Sequence, residues 1–368
     1  MGEWENFDFE EVIRDETKFA KKIRKNDYLY QGKNLIIDQG KNYIAGYTNN
    51  VEKIYENVPV IIFGDHTRII KYVDEPFYIG ADGVKVLKVK MNEINTKFIF
   101  YYLKNCRIED TGYNRHFKWL KEFKIPVPSI RLQEQIVKVL DKANFLIEKR
   151  KLQVEKLDLL IKSQFVEIFG NPIDNAMGWE IVKFNDLGEL GRGVSKHRPR
   201  NATELLGGIY PLIQTGDVAN ANPYIKDYRS TYSELGLKQS KMWKKGTLCI
   251  TIAANIAKTG ILGFDACFPD SIVGFVSSDE TNNIFIHYWF AFFQEIIEAQ
   301  APESAQKNIN LEILRKLKII RPPIELQTQF ADFVNKVEKT KATLQQSLTK
   351  MEQNYKSLMQ KCFRGEIF

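Results

Sequence analysis

The side chains best suited to chemistry in this 368-residue chain sit in short polar loops, not in a catalytic constellation. In the N-terminal third they are Gln39, Lys41 and Asn42, then His66, Thr67, Arg68 and Lys71, then Asn114, Arg115, His116 and Lys118. Further on come Arg192, Ser195, Lys196, His197 and Arg198, then Gln214 and Thr215, Asn255, Lys258 and Thr259, and finally Gln306, Lys307 and Asn308. Arginine and lysine suit phosphate oxygens and guanine edges, and the paired donor and acceptor of Asn or Gln suits adenine. The chemistry on offer is hydrogen-bonded reading of a polyanion. A solvated polar turn accounts for any single one of these loops equally well.

Motifs for bond making and breaking are missing. The chain has no G-x-x-x-x-G-K-[ST], no G-x-G-x-x-G after a strand, no H-E-x-x-H and no G-x-S-x-G. Asn171-Pro172-Ile173 lacks the second proline and the aromatic residue of an amino-methyltransferase motif and reads as a helix terminator. Cys106, Cys249, Cys267 and Cys362 are scattered, and only four histidines accompany them, which fits neither a zinc site nor a disulfide framework. No metal is expected, and a reducing cytoplasm is the expected compartment. Asp65 and Asp82 near strand ends leave a self-sufficient nuclease open as an alternative, without the lysine-bearing cluster such an enzyme needs. The N-terminal stretch from Met1 to Arg14 has no apolar signal region, and no run of about eighteen apolar residues occurs, so neither export nor membrane insertion is expected. The formal charge of +7, from 53 Lys plus Arg against 46 Asp plus Glu, leans toward a polyanionic partner.

These loops hang on a frame that is stated twice. Residues 114–169 recur without a gap, at a constant offset of 194, as residues 308–363. Asn114, Leu120, Pro128, Leu132-Gln133, Gln135, Lys142 and Phe169 find identical partners at Asn308, Leu314, Pro322, Leu326-Gln327, Gln329, Lys336 and Phe363. From Leu132 to Ile168 neither proline nor glycine interrupts, which predicts a helix about 55 Å long. Its apolar residues Ile136, Leu140, Ile147, Val154, Leu157 and Ile161 alternate in steps of three and four or their sum, the seam of a coiled coil, with Arg150 and Gln164 interrupting it. The second rod, from Leu326 to Phe363, repeats the pattern with Phe330, Val337, Leu344, Met351 and Leu358 seven apart, Leu348 as a companion and Lys341 as the charged breach. The stop at Phe169-Gly170-Asn171-Pro172 calls for a left-handed C-cap.

The expected architecture is α/β, with two globular domains of mixed strands and helices joined by two long helices that pair as an antiparallel coiled coil. Residues 1–127 form the first globular domain, 128–170 the first repeat helix, 171–320 the second globular domain and 321–368 the second repeat helix. Short strands are expected at Leu35–Ile37, Val58–Phe63 and Val84–Val89, and an aromatic helix at Phe98–Leu103. Trp179-Glu180 restates Trp4-Glu5, Phe285-Ile286-x-Tyr288 restates Phe98-Ile99-x-Tyr101, and Tyr224-Ile225 is matched to Tyr43-Ile44. The loops share almost nothing, and the first domain has no counterpart of Gly191 to Arg200.

This order of parts resembles the specificity subunits of type I restriction-modification systems. The residues carrying the likeness are Ile125-Pro-Val-Pro128 running into Leu132-Gln133-x-Gln135, its echo Arg321-Pro322-Pro323 into Leu326-Gln327-x-Gln329, and Phe169-Gly170-Asn171-Pro172 ahead of Gly178-Trp179-Glu180. The resemblance implies a non-catalytic reader of double-stranded DNA in which each globular unit is a target-recognition domain for half of a split sequence and the paired rods set the spacer. It implies two methylation subunits along the rods, with restriction subunits beyond them. S-adenosylmethionine, ATP and Mg would sit on those partners and not on this chain. A coiled-coil scaffold, or a DNA-binding protein independent of restriction-modification, remains the alternative.

Overall fold

The computed structural model describes residues 4–109, 111–112, 114–253, 256–292 and 309–367. Contacts divide the chain into two units, Met1–Leu152 with Gln346–Phe368, and Gln153–Gln345. Each unit therefore owns part of both long helices, Ile130–Phe169 and Ile324–Phe363, each 40 residues without a break. Both start two residues ahead of the expected leucines. The first stops as its sequence demands: Gly170 takes φ +74°, and its N–H donates to Val166 O at 2.9 Å. The Trp179 indole then donates to Phe169 O at 2.9 Å, closing the turn that follows the helix.

In the first unit, strands Ile13–Asp15, Val84–Val89, Val60–Gly64 and Ile70–Val73 lie side by side in that order, all antiparallel. The strand expected from Val58 begins only at Val60, since Pro59 has no N–H to give a ladder. A second sheet sets Asn34–Ile37 between Gly46–Thr48 and Phe77–Ile79, the latter parallel. Glu5–Phe7 pairs with Ile125–Val127, the strand that leads into the long helix. Phe9, Phe63, Leu87, Phe98 and Ile99 form one core with Ile136 and Leu140 of the first long helix and Met359 and Cys362 of the second.

The second unit repeats the plan on a larger scale. Glu180–Lys183 pairs with Lys318–Arg321, as its counterparts do in the first unit. A five-stranded sheet runs Gly188–Arg192, Ile272–Ser277, Leu248–Thr251, Thr259–Leu262, Tyr224–Ile225, and a four-stranded one runs Ser230–Tyr232, Leu206–Leu212, Ala266–Cys267, Met242–Trp243. Phe165, Phe169, Phe184, Phe275, Phe285, Trp289, Phe330 and Val334 fill its core. One expected correspondence fails. Tyr224-Ile225 is a sheet-edge strand, whereas Tyr43-Ile44 precedes the strand Gly46–Thr48, because two matched residue types in a loop of different length carry no register.

The repeat is deepest at a buried glutamine. Gln133 accepts the Asn95 N–H at 2.8 Å and donates to Glu93 O at 3.2 Å and Pro128 O at 2.9 Å. Gln327 accepts the Asn282 N–H at 2.9 Å and donates to Glu280 O at 3.2 Å and Pro322 O at 2.8 Å. Asn95 and Asn282 in turn cap the helices Thr96–Asn105 and Asn283–Trp289, accepting N–H groups of their first turns. Each glutamine thus ties a domain helix to the start of a rod.

Within each unit the long-helix segments run antiparallel. In the first, Arg150 donates to Ser347 Oγ at 2.5 Å while Ile136 and Leu140 lie with Met359 and Cys362. In the second, Phe165 meets Phe330 at 5.5 Å and Lys341 pairs with Asp158. Of the seam residues, Ile136, Leu140, Ile147, Ile161, Phe330 and Val337 are buried, and Val154, Leu157, Leu344, Leu348, Met351 and Leu358 are half-buried. The buried ones are mostly those that a sheet domain also covers; two helices alone leave their seam partly open.

Away from the seam the first long helix is apolar again. Phe145, Leu146 and Leu152 in the first unit are 58%, 48% and 42% exposed, and Leu159, Leu160 and Val166 in the second are 63%, 45% and 40% exposed. At the repeat offset the second long helix carries Lys339, Thr340, Gln346, Gln353, Asn354 and Gln360 instead. The two helices share a seam and differ on their outer faces.

Candidate nucleic-acid interface

Strand direction decides where the polar loops go. In the five-stranded sheet Arg192 stands opposite Val273, Ile272 opposite Thr251 and Thr259 opposite Ile250, while Tyr224, parallel to its neighbour, stands opposite Ile261. The chain after Arg192, the turn before Ile272, the hairpin from Thr251 to Thr259 and the loop leading into Tyr224 therefore all leave one end of that sheet. In the first unit Gly64, Ile70 and Val84 mark one end of the four-stranded sheet, and Ile37 and Ile79 end side by side in the other. Among the described residues, each unit thus brings several of its polar loops to one sheet end.

In the first unit these loops are knitted together. Gln39 donates to Asp82 O at 2.7 Å and accepts the His66 N–H at 3.2 Å, and the Thr67 hydroxyl donates to Gln39 O at 2.7 Å. Lys71 is buried, donating to Asp38 O at 2.7 Å and Asn42 O at 2.6 Å; desolvation pulls its pKa below the usual lysine value, against the pull of the Asp38 carboxylate. Gln39, Thr67 and Lys71 thus spend their polar atoms on the loops themselves. Lys41, Asn42, Arg115 and Lys118 are exposed, with Lys118 over the Trp119 ring at 4.3 Å, and His66 and Arg68 are half-buried. Asn114 is exposed and donates to Thr111 O, while His116 is buried, its ring nitrogen 2.9 Å from Asp65 O.

The second unit builds its loop on two residues far off in sequence. Gln239 Oε1 accepts the N–H of Lys196 at 2.7 Å and of His197 at 3.1 Å. Arg192 Nε donates to Asp270 O at 2.5 Å, and Arg198 Nη2 and Arg200 Nη2 lie 3.7 and 2.6 Å from the Asp270 carboxylate. Gly193 is required here, since a Cβ would lie 2.3 Å from Pro269 O. Ser195 is buried, whereas Arg192, Lys196 and Arg198 are exposed and His197 half-buried. Thr215 opens the short helix Thr215–Ala219, which follows exposed Gln214; beside it Asn220, Asn222, Tyr224, Tyr228 and Arg229 line a recess of about 350 Å³. Lys258 is exposed, but Thr259 is buried with its hydroxyl 2.9 Å from His287 Nδ1. Asn255, Gln306, Lys307 and Asn308 lie outside the described residues.

Gln239, Asp270 and Arg200 are missing from the sequence-based candidates. Arg200 sits in the loop already singled out and was readable there, but nothing local marks a glutamine or aspartate tens of residues away. Among the described residues no group of three or more His, Cys, Asp or Glu is placed to hold a metal, and no helix is long and apolar enough to cross a membrane.

The two units thus carry unlike polar loops on one repeated frame. A family model for the type I restriction modification DNA specificity domain matches residues 1–156 and 177–353. The chain is 25% identical over 340 residues to a putative type I restriction enzyme specificity subunit of Haemophilus influenzae, covering 87% of this chain and 81% of that one. It is 30% identical over 145 residues, 36% of each chain, to a type I restriction enzyme specificity subunit of Escherichia coli. The crystal structure of a type I restriction-modification S subunit from M. genitalium shares its fold, with a TM-score of 0.59 at 14% identity over 98% of this chain and 96% of that one. The protein belongs to the type I restriction-modification specificity subunits, a DNA-binding family.

Proposed function

We propose that the chain reads a bipartite double-stranded DNA target, one half-site per unit, through the loops at the two sheet ends. The observation that carries this is their convergence: the arrangement of strands brings Arg192 to Arg200, Gln214 to Asn222 and the Thr251–Thr259 hairpin together in one unit, and the loops at Gln39, His66 and Asp82 in the other. The buried glutamines repeat the frame while the loops diverge, which suits a split and asymmetric target.

On this reading the long helices set the spacer. The outer apolar face of the first helix, with the groove of about 490 Å³ beside Leu146, Ile147, Met351 and Leu358 in the first unit, receives methylation subunits, two per complex. Restriction subunits join through them. The chain is not itself an enzyme and works in the cytoplasm; S-adenosylmethionine, ATP and Mg belong to the partners.

The test is to map methylated adenines in cells carrying the wild-type chain or one with a heptad added to each long helix. Seven residues add about 10 Å, near three base-pair steps. The half-site sequences are expected to persist while the spacer changes. Altered half-sites with an unchanged spacer would refute the reading, as would methyl transfer by the purified chain alone.

A further inference from the structure

We infer that Asp270 is a positioning residue for DNA specificity: its carboxylate draws the guanidinium groups of Arg198 and Arg200 to one side of the loop, beside Arg192 on the main-chain carbonyl, and restrains their pull on phosphate. The inference rests on the DNA-reading role proposed for this loop.

Five basic or imidazole side chains, Arg192, Lys196, His197, Arg198 and Arg200, fall within nine residues. Left alone, like charges so close would splay apart into solvent. The structure instead turns three of them toward residue 270. Its carbonyl takes Arg192, and its carboxylate, 28% exposed, faces Arg198 and Arg200. Arg198 also donates to Ser195 O at 2.7 Å and His197 O at 2.8 Å, so its fork is fixed from both sides. The Arg200 contact is close but too bent for a hydrogen bond, and Asp270 Oδ1 is otherwise buried and unpartnered. That carboxylate acts by charge, keeping both guanidinium groups on its side of the loop. Asp270 itself is fixed by the backbone: Gly193 and Val194 donate to Ile272 O and Phe268 O on either side of it.

An arginine in a fixed orientation discriminates bases, because the bidentate contact to guanine needs two aligned donors, whereas a free one settles on any phosphate. Asp270 therefore exchanges general affinity for selectivity. It removes one net positive charge from the DNA-facing loop and orders the remainder.

The experiment uses the full chain with the methylation subunit it co-purifies with. A randomised duplex pool is enriched on the wild-type complex, and binding to the enriched duplex and to a shuffled one is measured across a salt series. For Asp270→Asn, affinity for the shuffled duplex is expected to rise, the salt slope to steepen by about one phosphate contact, near 0.9, and the ratio of enriched to shuffled binding to fall about tenfold. Asp270→Glu is expected to restore much of the ratio. A merely structural aspartate gives a different result: both affinities fall together and the melting temperature drops. That outcome, or no change in either affinity, overturns the inference. The double variant Arg198→Ala/Arg200→Ala separates the two levels. If it leaves both affinities untouched, the loop does not face DNA and the underlying reading fails; if it weakens binding while Asp270→Asn shifts both duplexes equally, only the positioning role fails.

Discussion

Replacing Gln133 with leucine removes one side chain and leaves three backbone groups without partners: the Asn95 N–H, Glu93 O and Pro128 O. Leucine is close in volume, so the packing loss is small and the polar loss dominates. The bond to Pro128 is buried and the other two are part-buried. A buried group left unpaired costs about 1–3 kcal/mol, and a partly solvated bond contributes about 0.5–1.5 kcal/mol. The sum is roughly 2–6 kcal/mol. For a unit of this size each kcal/mol moves the midpoint by about 2–4 °C, giving a drop of roughly 4–24 °C. Differential scanning calorimetry on Gln133→Leu, Gln327→Leu and the double variant tests this. The two glutamines lie in different units and share no partner, so their effects are expected to add. A shift below about 1 °C for either single variant would refute the idea that these amides join helix to rod.

Further outcomes follow from the same geometry. Lys341 occupies a seam position where the other copy has Ile147, and it faces two carboxylates: Asp158, 49% exposed, and Glu338, 13% exposed and 4.0 Å away, which loses its counter-charge when the lysine goes; Lys341→Ile is therefore expected to lower stability by about 1–3 kcal/mol, read by thermal unfolding. Burial lowers the His287 pKa to about 4 from 6.5. The unfolded chain therefore binds the extra proton first, and up to about 3 kcal/mol of stability present above pH 6.5 is lost as the pH falls toward 4. His287→Gln is expected to flatten that dependence in urea titrations run across the window. Phe145→Lys with Leu152→Gln copies the outer face of the second long helix onto the first. Because both residues are already exposed, the melting temperature is expected to hold within a few degrees while co-purification of the methylation subunit is lost; retention of the partner would count against that face as its seat.

The rods were the most legible part of the sequence because their pattern is local. Ile136, Leu140 and Ile147 recur at helical spacing, and Gly170 with Pro172 marks the stop whatever the rest of the chain does. The short strands were visible where apolar runs met turn residues, as at Val84–Val89. Sheet order was not visible, since pairing of Arg192 with Val273 or Tyr224 with Ile261 depends on contacts far apart in sequence. The same limit hid the loop supports. Gln133 and Gln327 were noticed as identities, yet their clamp needs Asn95 and Asn282, which stand 187 apart and not 194, beyond the gapless repeat. Lys71 looked like a free cation in a polar stretch; burial and two carbonyl acceptors give it a different job. A residue's type tells what it is able to bind, and only the fold tells whether that capacity is already spent.

The outer face of the first long helix also bears on how the cell must manage this chain. Phe145, Leu146 and Leu152 are exposed on one helix, and such a patch, when nothing covers it, sticks to its own kind or draws proteases and chaperones. Molecules made in excess of their cover are expected to be the first removed. With the proposed methylation subunit as that cover, synthesis of this chain would never outrun the partner for long, and the number of working complexes would be limited by the partner's supply, not by transcription of the chain's own gene.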